Sequence, residues 1–94
     1  MARSSPTDEI SLQQLRALAA VSETGSFTLA AESLQLTQPA ISHLIKRMED
    51  EIGQPLVVRG RRLQMTDAGQ MMVDTAVRAL RLVDESVNAC RSQA

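Results

Sequence analysis

The sequence is poor in the residues that build most catalytic, metal-binding and single-strand nucleic-acid sites. Phe27 is its only aromatic residue, so it lacks the stacking surfaces that RNA and single-strand binders use. One histidine, His43, and one cysteine, Cys90, have no metal-ligand or triad companions at usable spacing. The four glycines form no phosphate-binding loop motif. These absences predict a protein that is not an enzyme and uses no cofactor or metal, which leaves duplex DNA or another protein as its partner.

The chain also lacks the features of secreted and membrane proteins. A single cysteine cannot form an intramolecular disulfide, which favours a reducing compartment. No apolar run approaches the length of a membrane span, and the first residues contain no hydrophobic signal region. We therefore expect a cytoplasmic protein. With 94 residues, 44% of them hydrophobic, it should form one folded domain with a modest core.

Charge is unevenly distributed, although the formal net charge is only −1. The segment 36–62 is net positive, because it carries Lys46, Arg47, Arg59, Arg61 and Arg62 against Glu49, Asp50 and Glu51. The segments 1–35 and 63–94 each carry more acidic than basic residues. Local charge matters more than the total for a polyanion such as DNA, although the acidic remainder predicts weaker nonspecific affinity.

The stretch from Thr37 to Gly53 predicts a helix with two different faces. Thr37 can cap its start, Pro39 fits its first turn, and Gly53 can end it. At about 100° per residue, one side of the helix carries apolar side chains and the other carries small or polar ones. The apolar side holds Ile41, Leu44, Ile45, Met48 and Ile52, and the polar side holds Gln38, Pro39, Ser42, His43 and Lys46. Such a polar side suits a helix that enters a DNA major groove, whereas a merely solvated face is the simpler alternative.

Two helices are predicted before this one. Ser11 and Gln14 have capping-box spacing, and the helix they begin should end at Gly25. Along one stripe of this helix lie Leu12, Leu15, Leu18, Ala19 and Ser22. A short helix over 27–34 follows and is separated from Thr37 by only two residues. The short helix and the one after Thr37 must therefore cross steeply, as in a helix-turn-helix.

A small basic hairpin is predicted after Gly53. The run 55–59 is β-prone, residues 60–62 are turn-like, and residues 63–65 alternate as a strand does. The tip of this hairpin would project Arg61 and Arg62. Beside a groove-reading helix, such a wing can touch phosphates or enter the minor groove. The alternative is an exposed loop with two solvated arginines.

A long amphipathic helix should end the chain. Thr66 can cap it, and the helical pattern continues to about Ser92. Its apolar seam consists of Met72, Ala76, Leu80, Val83, Val87 and Cys90. At 1.5 Å per residue the helix would be about 40 Å long, which exceeds what so small a body can cover. We therefore expect a homodimer through this helix.

Together these elements predict a mainly α protein, namely a winged helix-turn-helix of three helices and a two-stranded wing, followed by a long dimerisation helix. The predicted divisions are a flexible N-terminal arm over residues 1–10, a DNA-binding winged helix-turn-helix over 11–65, and a linker or dimerisation helix over 66–94.

The run GSFTLAAESLQLTQPAISHLIKRMEDEIGQPLVVR, with TDAG downstream, resembles the N-terminal DNA-binding domain of LysR-type transcriptional regulators and their linker helix. The resemblance spans about residues 11–90. It implies a recognition helix in the major groove, a wing at the minor groove, and antiparallel linker helices in a homodimer on inverted half-sites. It also implies a C-terminal domain, absent here, through which a small-molecule effector would act, so we expect the chain to be a fragment of a longer regulator.

The resemblance also implies roles for individual residues. Gln38, Pro39, Ser42 and His43 match residues that meet base edges or nearby backbone, Lys46 matches a backbone contact, Thr28 and Thr37 match helix starts near phosphate, and Arg59 matches the arginine at the base of the wing. Val57–Val58 stands where Phe-Glu is common, and His43 stands where arginine is frequent. The wing is one residue shorter than usual, which leaves the roles of Arg61 and Arg62 open.

Two other functions remain open on the sequence alone. One is the LysR-like N-terminal domain of molybdate-responsive repressors. The other is a helical protein-interaction module without DNA binding, which the net acidity suggests. The sequence does not specify the target promoter, the effector, or whether the regulator activates or represses.

Overall fold

The computed structural model describes residues 9–93, and it confirms a mainly helical chain with a two-stranded wing. Its elements in chain order are α1 (Leu12–Thr24), α2 (Phe27–Leu34), α3 (Gln38–Ile52), β1 (Val57–Val58), β2 (Gln64–Met65) and α4 (Asp67–Ser92). The predicted arm over residues 1–10 lies outside the described residues except for Glu9 and Ile10. Ile10 is half-buried against the core.

The helices begin and end where the capping residues predict. Their N-caps are Ser11, Ser26, Thr37 and Thr66, and each side chain accepts a hydrogen bond from a backbone N–H of the first turn. The capping box of α1 is complete, because Gln14 Oε1 also accepts from the Ser11 N–H at 2.7 Å. Gly25 and Gly53 end α1 and α3 in the left-handed conformation, which glycine adopts without steric cost.

The turn between α2 and α3 is tight and contains no glycine. Gln35 adopts a φ of 57° there, and it is the only residue other than glycine with positive φ in the described part of the chain. The following N–H, that of Leu36, donates to the Ala31 carbonyl at 2.9 Å and closes the end of α2. The left-handed conformation costs an L residue about 1–2 kcal/mol, so the surrounding packing must hold this turn.

The core is centred on α1, which contacts α2, α3 and α4. Because it has neighbours on three sides, α1 buries more than the single stripe predicted. Its buried residues are Gln14, Leu15, Ala17, Leu18, Ala20 and Val21, whereas Leu12 is 43% exposed. Leu12 thus belongs to the predicted stripe but lies outside the core. Ala17 and Ala20 are buried instead, because small side chains allow neighbouring helices to cross closely.

The wing is anchored to the start of α4. In the antiparallel hairpin, Val57 lies opposite Met65. The Thr66 N–H donates to the Leu56 carbonyl at 3.0 Å, and the Thr66 hydroxyl donates to the Pro55 carbonyl at 2.7 Å. Gly69 is buried against this backbone, and a Cβ there would overlap the Leu56 carbonyl oxygen. No side chain fits between α4 and the strand at this point.

The first half of α4 is part of the core, and its second half extends beyond it. Val73 and Ala76 are buried, and Leu80 is half-buried against the core. Every described residue from 81 onward is exposed. Ala76, one of the residues of the predicted dimer seam, is fully buried within this chain. Among the described residues, no helix combines the length and apolar character needed to cross a membrane.

Replacing Gly69 with alanine should destabilise the fold by at least about 1–3 kcal/mol, since the added methyl group meets a backbone oxygen that cannot move independently. Gly60→Ala is the matched control, because a Cβ at Gly60 meets nothing within 4 Å. Urea unfolding at one fixed protein concentration measures both variants. Equal midpoints for the two would contradict the close packing of α4 on the backbone of Leu56.

Candidate nucleic-acid interface

The polar face of α3 lies on the surface because its apolar face is held in the core. Ile41, Ile45 and Met48 are each at most 2% exposed. The five polar-face residues predicted from the sequence all lie on the opposite side: Pro39, His43 and Lys46 are exposed, and Gln38 and Ser42 are half-buried. The structure therefore brings these residues together on one accessible surface, which we call the reading face (Gln38, Pro39, Ser42, His43 and Lys46).

Arg59 joins the wing to the reading face. Its Nη2 donates to Ser42 Oγ at 2.9 Å, and Gln38 Nε2 donates to the same oxygen at 3.1 Å. The Arg59 guanidinium also lies 3.9 Å from the centre of the Phe27 ring, within the range of a cation–π interaction. Sequence reasoning considered Phe27 only as the lone aromatic residue. Its position against the wing depends on tertiary packing, which residue spacing does not reveal.

Lys46 pairs with an acidic neighbour on its own helix. Its Nζ lies 2.9 Å from Asp50 Oδ1. The hydrogen bond to Asp50, and then the negative charge of that carboxylate, raises the pKa of Lys46 above its ordinary value. Both side chains are more than 60% exposed, and such surface pairs contribute about 0–1 kcal/mol. Lys46 can therefore exchange Asp50 for another anion at little cost.

Glu49 points toward the wing. Its Oε2 accepts from the backbone N–H of Leu56 at 2.7 Å and from that of Val57 at 3.3 Å. Sequence reasoning grouped Glu49 with the other acidic residues of α3. The structure shows that it instead fastens β1 to the helix. No sequence pattern identifies this contact, because the two partners belong to different elements.

The remaining predicted residues surround the reading face. Thr28, in the first turn of α2, is exposed. Thr37 is also exposed, and its hydroxyl accepts from the Ala40 N–H at 3.2 Å, which leaves its own O–H able to donate. Arg61 and Arg62 are exposed in the bend between β1 and β2.

A shallow groove of about 430 Å³ separates α3 from the wing. Its lining consists of Ser42, Ile45, Lys46, Glu49, Val57 and Arg59. In the part of the chain that the structure describes, no three histidine, cysteine, aspartate or glutamate side chains cluster as a metal site would require. Apart from Glu49, whose carboxylate binds the backbone of the wing, the polar residues of the lining offer a hydroxyl and two basic side chains, which suit an anionic polymer.

A helix-turn-helix whose second helix exposes a polar face beside a basic hairpin is a winged helix-turn-helix. This chain belongs to the LysR family, because its residues 12–70 match the family described as bacterial regulatory helix-turn-helix protein, lysR family. The chain is also similar to a solved structure described as a BenM_DBD/catB site 1 DNA complex. The TM-score is 0.84 and the identity 36%, over 87% of this chain and 92% of that one.

Curated relatives agree with this membership. The chain is 38% identical over 81 residues to a probable cat1 operon transcriptional activator of Acinetobacter lwoffii, covering 85% of this chain. It is 41% identical over 75 residues to the HTH-type transcriptional activator CmpR of Synechocystis sp., covering 79% of this chain. It spans only 27% and 25% of the lengths of these two relatives.

Replacing Glu49 with alanine should loosen the wing and destabilise the protein by about 1–3 kcal/mol, because two partly buried N–H groups lose their acceptor. Hydrogen exchange at the Leu56 and Val57 amides, measured by NMR together with urea unfolding, tests this. Glu51→Ala removes the same charge from an exposed position and serves as the control. Unchanged protection of both amides in Glu49→Ala would show that the carboxylate does not hold β1.

Proposed function

We propose that this chain is the DNA-binding part of a LysR-type transcriptional regulator and binds specific duplex sequences as a homodimer. In this proposal α3 enters the major groove and the wing meets the adjacent minor groove. The observation that carries the proposal is the reading face, which is accessible, free of acidic side chains and set at the N-terminal end of a helix fixed by the core.

The side chains of the reading face match the chemistry of base edges. Gln38 can offer a donor and an acceptor together, which is the pattern that adenine complements in the major groove. Pro39 and Ser42 are small enough to let the helix approach the bases, and His43 adds a further polar contact. Lys46 supplies a point charge for a phosphate, where it would replace its pairing with Asp50.

Residues around this face are proposed to bind the DNA backbone. The hydroxyls of Thr28 and Thr37 are accessible at the starts of α2 and α3, where helix N-termini favour phosphate. Arg61 and Arg62 at the wing tip would add affinity through phosphates or the minor groove, with little discrimination among bases. Arg59 lies at the base of the wing, between the threonines at the helix starts and the two arginines at the wing tip.

A stripe of exposed apolar residues on α4 supports a dimer. Val83 and Val87 are 37% and 40% exposed, and Cys90 is also exposed. They continue the helical face through which Val73 and Ala76 pack in the core. Burying a Val or Leu side chain contributes about 1.5–3 kcal/mol, so a second copy that covers this stripe would gain several such contributions. Met72 and Leu80 are half-buried at the inner edge of the proposed contact.

The proposed role requires binding alone. We therefore propose that the chain is not an enzyme and that it acts in the cytoplasm, where a bacterial chromosome is accessible. The names of the relatives point to transcription activators. Control by a small-molecule effector would need a domain beyond residues 1–94.

Replacing Gln38 with alanine should relax the preference at one base position by about 1–3 kcal/mol, because a bidentate base contact is lost. Lys46→Ala should instead weaken binding to all duplexes alike and reduce the dependence on salt, since it removes a phosphate contact. Competitive mobility shifts with specific and random duplexes, at several salt concentrations, separate the two effects. If Gln38→Ala left both the preferred site and its affinity unchanged, α3 would not be the reading helix. An interaction module would show neither specific binding nor a salt slope.

Replacing Val87 with glutamate should shift the chain toward monomers, because an unpaired charge would enter the proposed seam. Asn88→Glu adds the same charge one residue along, about 100° around the helix, and should leave the dimer intact. Light scattering over a range of concentrations measures both variants. A monomeric unmutated chain at high micromolar concentration would rule out the dimer.

A further inference from the structure

We propose that Phe27 and Arg59 help to set the base preference of α3 without touching the bases, by fixing the hydrogen-bonding direction of the Ser42 hydroxyl. This inference rests on the proposed function. It goes beyond that function because it assigns a specificity role to two residues outside α3 and states which base they exclude.

The first step follows from the chemistry of the three groups. A guanidinium has only donors, so the 2.9 Å contact between Arg59 Nη2 and Ser42 Oγ uses a lone pair of the hydroxyl. Gln38 Nε2 occupies the second lone pair at 3.1 Å. A serine hydroxyl has two lone pairs and one hydrogen. Ser42 is therefore left with its O–H alone and can act toward DNA only as a donor.

The same contacts leave Gln38 able to read adenine. One Nε2 hydrogen binds Ser42, so the second hydrogen and Oε1 remain available. These two groups are the donor and acceptor that adenine N7 and N6 require. The contact with Ser42 also restrains the Gln38 amide, which lowers the conformational entropy lost on binding.

Phe27 holds Arg59 in place for this contact. Phe27 is only 8% exposed and is fixed in the core at the first position of α2. The guanidinium lies 3.9 Å from the ring centre and, among the described residues, pairs with no carboxylate. The aromatic face and the Ser42 hydroxyl are thus the two contacts that orient the Arg59 side chain.

The consequence is discrimination against cytosine at the base facing Ser42. Guanine, adenine and thymine each present an acceptor in the major groove, whereas cytosine presents only its N4 donor. A hydroxyl whose lone pairs are both occupied cannot accept from that donor. Removal of Arg59 would free one lone pair, and cytosine would then become acceptable.

The test first identifies the base position at which Ser42→Ala alters the base preference. It then compares four duplexes that differ only at that position. Arg59→Met should raise the relative affinity for the cytosine duplex at least about fivefold, the lower end of the discrimination of one good base contact. Arg61→Met removes the same charge from an exposed wing residue with no side-chain hydrogen bond to any described residue, and it should lower affinity for all four duplexes equally. Phe27→Leu should act in the same direction as Arg59→Met, and Phe27→Tyr, which keeps the aromatic face, should preserve the preference.

Each outcome decides between the alternatives. If Arg59→Met weakened all four duplexes equally and kept the rejection of cytosine, Arg59 would be a phosphate contact only and the proposal would be overturned. Because Arg59 is exposed, this variant decides the question even if Phe27→Leu fails to fold. If the unmutated chain distinguished no base at any position, the proposed function itself would fail, which is a different result from the loss of cytosine discrimination.

Discussion

The burial of one face of α3 is the constraint on which the rest of the structure depends. Ile41, Ile45 and Met48 are removed from water against the other helices, and each contributes roughly 1.5–3 kcal/mol. This burial fixes the rotation of α3 about its own axis. Since Gln38 and Ser42 lie on the opposite side, their outward presentation follows from the packing of the core. A rotation of even one residue position would bury polar groups and expose apolar ones.

The wing depends on the same helix. Glu49 binds two backbone N–H groups of the β1 region, and Arg59 returns from the end of that strand to Ser42. On the other side of the strand, the close approach of Gly69 to Leu56 sets the start of α4. The reading face, the wing and the long helix are therefore mechanically connected through β1. A dimer formed by α4 would in this way fix the relative positions of two reading faces.

The sequence allowed most of the fold to be predicted, because helix caps and apolar spacing act locally. Ser11, Ser26, Thr37 and Thr66 cap helices as their spacing indicates. Apolar spacing did not predict the full buried surface of α1. Three neighbouring helices bury alanines of α1 that lie outside a single apolar stripe. The apolar pattern of α4 is continuous although the core covers only its first half, so spacing alone did not show that Ala76 is buried within the chain.

The individual residues of the candidate site were located by pattern and resemblance, but their contacts with one another were not. Residues Phe27, Ser42 and Arg59 come from three different elements, and only the folded chain brings them together. Glu49 likewise differs from Glu51 in function although both belong to one acidic run. Such contacts depend on how elements pack, which composition and periodicity do not record.

Selection of binding sites from a pool of random duplexes is the most direct test of the central claim that α3 reads DNA. With the 94-residue chain as it exists, we expect enrichment of two inverted copies of one half-site, separated by a fixed number of base pairs. Protection of the selected duplex should map to the major groove of each half-site. A pool that shows no enrichment at low salt, where phosphate contacts are strongest, would contradict the assignment of this surface to DNA.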